Sequence, residues 1–516
     1  MVTEQDPAPR RHYVAELLTM LDDGPENRPV LTWRQTVWTA TAFSSRIRTL
    51  SAALRAAGTA EGTVLGLLTL PNHPDSLALR YAAHLLGASV VHLRTANPGS
   101  NAATLTAVDQ AEMAGVVGVR LIVHDPLLTD RAAELAAATG LRTLGTDVPA
   151  AETDVPHRAP TRGILTFTGG TTGRPKGVRH SFSGHNDLVL SDAAELAAEP
   201  GGPPRLLVTT PVSHAVAAMA DAVLVSGGFL VLHEDFEPAA MLHALAAHRI
   251  TRAYLAVPQL YRLLDHPDLP GTDLSALRRL IYSGSHAAPA RVARAFAVLG
   301  PVLVQCYGST ETGRVTLLDQ LDHYEDELRG AVGRPFPGVE VRLSEPDGEI
   351  LVRSPQCLTE YPGDPELTAA TVRPDGWTRT GDLGYFDEYG LLRLTGRRHH
   401  MIKTRGARVH PAAVERELLA DGVFTEAAVY SAEGPDGAEL VHAAVVPGRG
   451  TPQEGAKAQV DRALARIAAH LGPEHAPTTV VLWRRLPLTA VGKPDRRRLT
   501  VPDGHPDVCA VLTRQP

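Results

Sequence analysis

The stretch Gly163-Ile-Leu-Thr-Phe-Thr-Gly-Gly-Thr-Thr-Gly-Arg-Pro-Lys-Gly177 decides how the rest of the chain is read. Its first five residues are an apolar, strand-like run. Of the twelve residues 166–177, eight are glycine or threonine, and Pro175 and Lys176 close the segment. Glycines let backbone amides approach a ligand closely, and hydroxyls grouped around an ammonium suit phosphate oxygens. A Walker A loop sets its lysine before Ser or Thr, whereas Lys176 stands between Pro175 and Gly177. An ordinary surface turn does not need this density of Gly and Thr.

Lysine use points the same way. Among 50 Lys and Arg residues the only lysines are Lys176, Lys403, Lys457 and Lys493. Three of the four lie in Gly- or Pro-punctuated segments, namely the run above, Met401-Ile-Lys-Thr-Arg-Gly406 and Leu488-Thr-Ala-Val-Gly-Lys-Pro494. A chain that prefers arginine keeps lysine where a compact ammonium is needed and a planar guanidinium will not serve. Lys457, in a polar segment, reads as solvent-facing.

A length of 516 residues exceeds one core, so at least two domains are expected. The net charge of −7, without long runs, gives no footprint for nucleic acid or an anionic membrane. Three widely spaced cysteines argue against a disulfide framework and for a reducing compartment. No apolar run nears the roughly 20 residues that span a bilayer. The start, Met-Val-Thr-Glu-Gln-Asp, lacks the features of a signal peptide. A cytoplasmic protein without nucleic-acid binding or membrane insertion is expected.

From about residue 60, apolar strand-like runs alternate with helical segments: 64–70, 88–93, 121–124, 206–210, 229–232, 253–257, 280–282 and 302–305. This rhythm predicts parallel-rich sheets with both faces covered. After residue 330 the runs 339–343 and 349–352 flank Pro346-Asp-Gly348 and predict a hairpin in an antiparallel or barrel-like section. Beyond Gly396-Arg-Arg398 a compact α/β stretch follows, with helices near 411–419 and 460–470 and strands at 427–430 and 441–446. The fold class is therefore α/β, with a large N-terminal domain (1–395), a hinge (396–399) and a small mobile C-terminal domain (400–516). Arg496-Arg-Arg498 reads as a solvated face beside a phosphate site rather than a targeting signal, and Asp387 in Phe386-Asp-Glu-Tyr-Gly390 as a turn residue.

The Gly/Thr/Lys run resembles the phosphate-binding signature of the adenylate-forming superfamily of acyl-CoA synthetases, peptide-synthetase adenylation domains and firefly luciferase. Gln305-Cys-Tyr-Gly-Ser-Thr-Glu-Thr-Gly313 resembles its Tyr-Gly-x-Thr-Glu element, and Arg379-Thr-Gly-Asp-Leu-Gly384 its Thr-Gly-Asp element. Gly396-Arg-Arg-His-His-Met-Ile-Lys403 and Gly492-Lys-Pro494 resemble the hinge and the carboxy-terminal lysine motif. Five elements in the family's order are very specific.

The resemblance implies ATP-dependent activation of a carboxylic acid to an acyl-adenylate with release of pyrophosphate. Two anions must meet in that step, so the enzyme's work is positioning and charge neutralisation. Thr168, Gly169, Gly170, Thr171, Thr172, Gly173 and Lys176 would hold the β- and γ-phosphates. Tyr307 and Gly308 belong to the nucleotide site, Thr310 would touch the α-phosphate, and Glu311 would ligate Mg²⁺. Asp382 would accept the ribose hydroxyls and Arg397 approach the ribose. Lys493 would bridge the attacking carboxylate and the α-phosphate. His214, in Pro211-Val-Ser-His-Ala215, would line the acid pocket with Met219, Tyr282, Gly284, Gly308 and Gly313. Ala215 stands where α-amino-acid enzymes place an aspartate, so an aryl or aliphatic acid is expected. Asp221 is read as solvated, as a cap, or as partner to a distant amine; His286 and Arg314 are candidates for a polar substituent.

The family's second step follows rotation about the hinge, here Arg398 and His399, and brings up the Lys403–Arg408 loop. Coenzyme A or carrier-protein phosphopantetheine then accepts the acyl group, so an acyl carrier protein is a candidate partner. Family members usually carry an acidic pair where His399-His400 stands, and a solvated pair is expected here. Two further readings stay open. One is an adenylate-forming enzyme of a natural-product pathway with an unusual acid or acceptor, for example nitrite activated for diazotisation of an aryl amine. The other is a nucleotide-binding relative without catalysis.

Overall fold

The computed structural model describes residues 11–93, 105–150, 158–169, 175–404, 407–434, 439–448, 453–489, 492–500 and 505–513. The chain divides into two compact units. The first comprises Met1–Pro98, Thr104–Asp235 and Leu358–Thr368; the second comprises Gly99–Ala103, Phe236–Cys357 and Ala369–Pro516. Residues 396–399 lie inside the second unit.

In the first unit, strands Ser89–His92, Val64–Leu68, Leu121–His124 and Arg142–Gly145 pair in parallel in that order. Val64–Leu68 is buried along its whole length, as its unbroken apolar run requires. A further group sets Arg205–Val208, Phe229–Leu232 and Pro29–Trp33 in parallel, with Thr36–Thr39 returning antiparallel. Helix Pro74–Leu85 starts on the His73 side chain, which accepts from the Asp75 amide, with Pro74 in the first turn. Every residue of this helix is buried. Its charged and polar members therefore need partners inside the protein. Asp75 takes a two-point bond from Arg46 at 2.8 and 2.6 Å, and His84 shares a 2.8 Å bond with the Tyr13 hydroxyl.

In the second unit, Arg252–Ala256, Arg279–Ser283 and Leu303–Ser309 run parallel, and Gly313–Leu318 turns back antiparallel on the last of them. The section after residue 330 is an antiparallel sheet in the order Glu340–Ser344, Glu349–Arg353, Thr378–Phe386, Leu392–Arg397. The expected hairpin around Pro346-Asp-Gly348 joins its first two strands. Val332, Val339, Ile350, Val352 and Leu392 pack with Tyr307 and Val315 into one core beneath this region. The C-terminal stretch forms a separate sheet, Phe424–Glu433, Glu439–Pro447, Thr479–Trp483 and Val508–Thr513. Helix Pro411–Leu419 buries Pro411, Val414, Leu418 and Leu419. Trp483, 1 % exposed, anchors the core of the C-terminal sheet. Among the described residues no helix is long and apolar enough to cross a membrane.

Candidate active site

Asp382 lies on strand Thr378–Phe386, and the antiparallel register sets it opposite Arg397 on Leu392–Arg397. Cross-strand neighbours of opposite charge meet directly at such a pair. Arg397 Nε donates to Asp382 Oδ1 at 2.6 Å, and the Tyr307 hydroxyl, from Leu303–Ser309, donates to Oδ2 at 2.9 Å. The Asp382 side chain is 7 % exposed and that of Arg397 43 %. The carboxylate is thus fixed from two sides while the guanidinium keeps donors turned outward. Asp382 holds the Arg397 guanidinium charged, above its ordinary range, and burial beside Asp382 raises the Tyr307 hydroxyl well above its own.

These three side chains border a cavity of about 200 Å³ whose wall also includes Gly284, His286, Gly308, His400, Glu415, Arg496 and Lys493. Lys493 enters on a tight loop: the Thr489 amide donates to the Lys493 carbonyl at 2.7 Å and the Asp495 amide to that of Pro487 at 2.8 Å. Burial pushes the Lys493 ammonium down to about 8; Arg397 adds to the shift, and Asp382 and Glu311 oppose it. Gly284 faces this side chain closely. A β-carbon there would stand 3.3 Å from Lys493 Cε, on a backbone with φ +91°.

Thr310 and Glu311 sit half-buried at the turn between Leu303–Ser309 and Gly313–Leu318. Ser309 and Thr312 clasp this turn by reciprocal amide-to-hydroxyl bonds of 3.2 Å. At Gly308 a β-carbon would meet the Gly313 carbonyl oxygen at 2.1 Å, so the cavity wall stays bare backbone. Of the four acid-pocket candidates in this unit, Gly284 and Gly308 border the cavity, whereas Tyr282 and Gly313 do not. Tyr282 is fully buried, its hydroxyl on Gln305 (3.2 Å) and His323 (2.9 Å), so it belongs to the core. Gly313 faces the Gln356 side chain, and Arg314, a candidate for a polar substituent, stacks on Phe336 at 4.6 Å.

At the expected hinge, Arg398 bonds Asp347 and, at 3.2 Å, Glu349. The solvated reading of His399-His400 holds for only half of the pair. His399 is exposed, but His400 borders the cavity, where burial beside Arg496 and Arg397 pushes its imidazole down to about 4. Arg496 is not part of a solvated face either: it bonds Glu415 at 2.6 Å and the Val429 carbonyl at 2.9 Å. Arg497 and Arg498 are exposed. Lys403 is exposed on Ile402–Thr404, and Lys457 is exposed beside Asp461. Asp387 accepts from the Tyr389 and Leu391 amides, as a turn residue should.

The remaining candidates belong to the first unit. Thr168 pairs with Lys176 across the hairpin Ile164–Gly169 and Pro175–His180. Of the phosphate-loop candidates, Gly170, Thr171, Thr172 and Gly173 lie outside the described residues. His214 and Met219 are half-buried, His214 in the loop before helix Val216–Val225 and Met219 on that helix. Asn72 orders this loop, donating to the Thr210 carbonyl at 3.0 Å and accepting from the Val212 amide at 2.9 Å. His92, pushed down to about 3 by burial near Arg80 and His214, gives the surroundings of His214 a polar side.

Asp221, expected to be solvated, capping or opposite an amine, is 0 % exposed. It accepts from Arg80, from the Tyr81 hydroxyl at 2.6 Å, and pairs with His185 at 3.2 Å. Burial alone would raise its carboxyl, but Arg80, His185 and Tyr81 hold it below the usual range.

The model of the AMP-binding enzyme family matches residues 21–361. The chain belongs to this family. It is 31% identical to a medium/long-chain-fatty-acid–CoA ligase of Mycobacterium tuberculosis, over 92% of this chain and 87% of that protein. It is 32% identical to a feruloyl-CoA synthase of Amycolatopsis sp, over 89% and 92%. Among solved structures, an amide bond synthetase from Marinactinospora thermotolerans superposes with a TM-score of 0.81 at 34% identity, covering 94% of this chain and 99% of that one. The AMP-binding chain is thus an AMP-forming acid ligase of the acyl-CoA synthetase-like kind. Glu415 and Glu426 border the cavity and Arg262 bonds Glu426, and none of these three lies in a motif quoted from the sequence; His400, also on the wall, lies in the quoted hinge motif. His400 had a signal in its departure from the family's acidic pair. The other three had none.

Proposed function

We propose that this AMP-binding enzyme joins a small carboxylic acid to AMP and then passes the acyl group to a thiol, of coenzyme A or of a carrier-protein phosphopantetheine. The observation that carries the first step is Lys493 entering a cavity bordered by the Asp382–Arg397–Tyr307 cluster. Asp382 would take the ribose hydroxyls through lone pairs that Arg397 and Tyr307 leave over. As the carboxylate attacks the α-phosphate, negative charge grows on the phosphate oxygens. A protonated Lys493 placed beforehand stabilises that charge without reorganising solvent. The Thr168–Lys176 hairpin would serve the β- and γ-phosphates. Glu311, a half-buried carboxylate, suits Mg²⁺, which takes few protein ligands and fills its shell with phosphate oxygens and water. That ion would supply charge neutralisation at the departing pyrophosphate. The division into residues 1–395 and 400–516 about a hinge at Arg398 and His399 is part of the same reading.

A second reading replaces the thiol with an amine. It is favoured by the 34% identity to an amide bond synthetase and by His399-His400 in place of the family's acidic pair. Both readings are tested by pyrophosphate release over a panel of aryl and aliphatic acids, with coenzyme A, an amine or neither. Acid-dependent release is expected, with thioester formed when coenzyme A is added. Release that gives only amide would move the conclusion to the second reading. No acid-dependent release from any member would refute both.

A further inference from the structure

We infer that Arg262, with Glu426, is a positioning residue for adenylation: it fixes the base of the Lys493 loop so that the ammonium enters the cavity. The inference rests on the functional reading above and adds to it the means by which the lysine is placed.

Helix Val257–Leu264 begins where the Gln259 side chain accepts from the Ala256 amide at 2.9 Å. Positions 256, 259 and 262 follow each other at intervals of three and so lie on one side of this element. All three meet the lysine loop or its support. At Gly492, next to the lysine, a β-carbon would stand 3.1 Å from Ala256 Cβ and 3.4 Å from the Gln259 amide group, on a backbone with φ +76°. Only glycine lets the loop seat this closely. One turn further, Arg262 donates through Nε and Nη2 to the two oxygens of Glu426, at 3.1 and 3.4 Å. The same Nη2 reaches the Leu486 carbonyl at 3.3 Å, just before the loop begins.

The loop itself is closed on both sides, by a Leu488–Pro494 bridge and by the bonds from Thr489 and Asp495. With Leu486 held by Arg262 and Gly492 seated against Ala256 and Gln259, the backbone on the approach to Lys493 is held at two points. Glu426 is 9 % and Arg262 26 % exposed, so the pair is shielded from solvent more than a surface bridge. Arg262 touches neither Asp382 nor Arg397 in any bond described above. It acts on the reaction only through the lysine.

A residue that only positions Lys493 should alter the rate of adenylation and leave nucleotide binding alone. The test uses the full chain and the acid that gives the fastest pyrophosphate release in the panel, comparing Arg262→Met, Glu426→Gln, the double variant and Arg262→Lys. Each single loss is expected to lower kcat about tenfold, the size of one charged hydrogen bond, with KM for ATP within about twofold. The double variant should be no worse than Arg262→Met, because the two residues act as a unit. Arg262→Lys should recover part of the rate, since one ammonium cannot reach both Glu426 oxygens and the Leu486 carbonyl. An unchanged kcat in both single variants would overturn the inference. So would a fall in ATP affinity matching the fall in kcat, or losses that multiply in the double variant. If Arg262→Met does not fold, Glu426→Gln carries the same comparison. A parent chain that releases no pyrophosphate with any acid would instead refute the functional reading, and this inference with it.

Discussion

Each unit holds a cluster of one aspartate, one arginine and one tyrosine, and the two are put to different uses. In the first unit Asp221 bonds Arg80 and Tyr81, with side chains 0 % and 7 % exposed for the ion pair. In the second, Asp382 bonds Arg397 and Tyr307, and the ion pair is 7 % and 43 % exposed. The first cluster is enclosed on every side, with His185 as a further partner. Its charges have already been spent on one another, so it orders the fold. The second is bound to a cavity into which Lys493 projects, and its arginine keeps outward donors. The same three side-chain types make a sealed cluster in one unit and border an open cavity in the other, where they are proposed to bind the nucleotide.

The largest expected effect falls on the sealed cluster. Asp221→Ala strands a buried guanidinium and should cost about 3–5 kcal/mol in a urea titration. A loss below about 1 kcal/mol would mean that water reaches Arg80 and that the contrast is false. The Asp221 carboxyl is held below its ordinary range, so its contribution to stability is present above that range and lost only as pH falls below it.

Asp382→Ala should behave in the opposite way. Arg397 can turn to solvent, so stability should drop by only about 1 kcal/mol, while ATP binding, followed by calorimetry, weakens about tenfold or more. Equal stability losses for the two aspartates would dissolve the comparison. The smallest effect is a pH dependence confined to the open cluster. Lys493, lowered to about 8 by burial and Arg397 against Asp382 and Glu311, must carry its proton to act. kcat/KM for adenylation should therefore fall as pH rises through about 8, because this ratio reports the free enzyme. A flat profile up to pH 9 would show that the lysine is not needed as a cation.

Much of this was legible in the residues. The unbroken apolar run at 64–68 gave a buried parallel strand, and Pro346-Asp-Gly348 gave its hairpin. The motifs around Tyr307, Asp382, Arg397 and Lys493 come together at one cavity. What stayed hidden depends on partners far apart in the chain. Asp221 looks like a surface residue until helix Pro74–Leu85, buried all round, brings Arg80 and Tyr81 against it. Tyr282, on a strand whose next residues Ser283 and Gly284 border the cavity, turns its hydroxyl to His323 instead. Arg262 and Glu426 are 164 residues apart, and no local pattern announces such a pair.

Lys493 is proposed to serve the reacting centre and not to hold the nucleotide. Lys493→Ala, assayed for acid-dependent pyrophosphate release and separately for ATP binding, tests it most directly. The expected result is a loss of about 10²–10³ in kcat, as for removal of a group that stabilises developing charge, with ATP affinity unchanged. Turnover close to that of the parent chain, or a loss of ATP affinity as large as the loss of turnover, would contradict it.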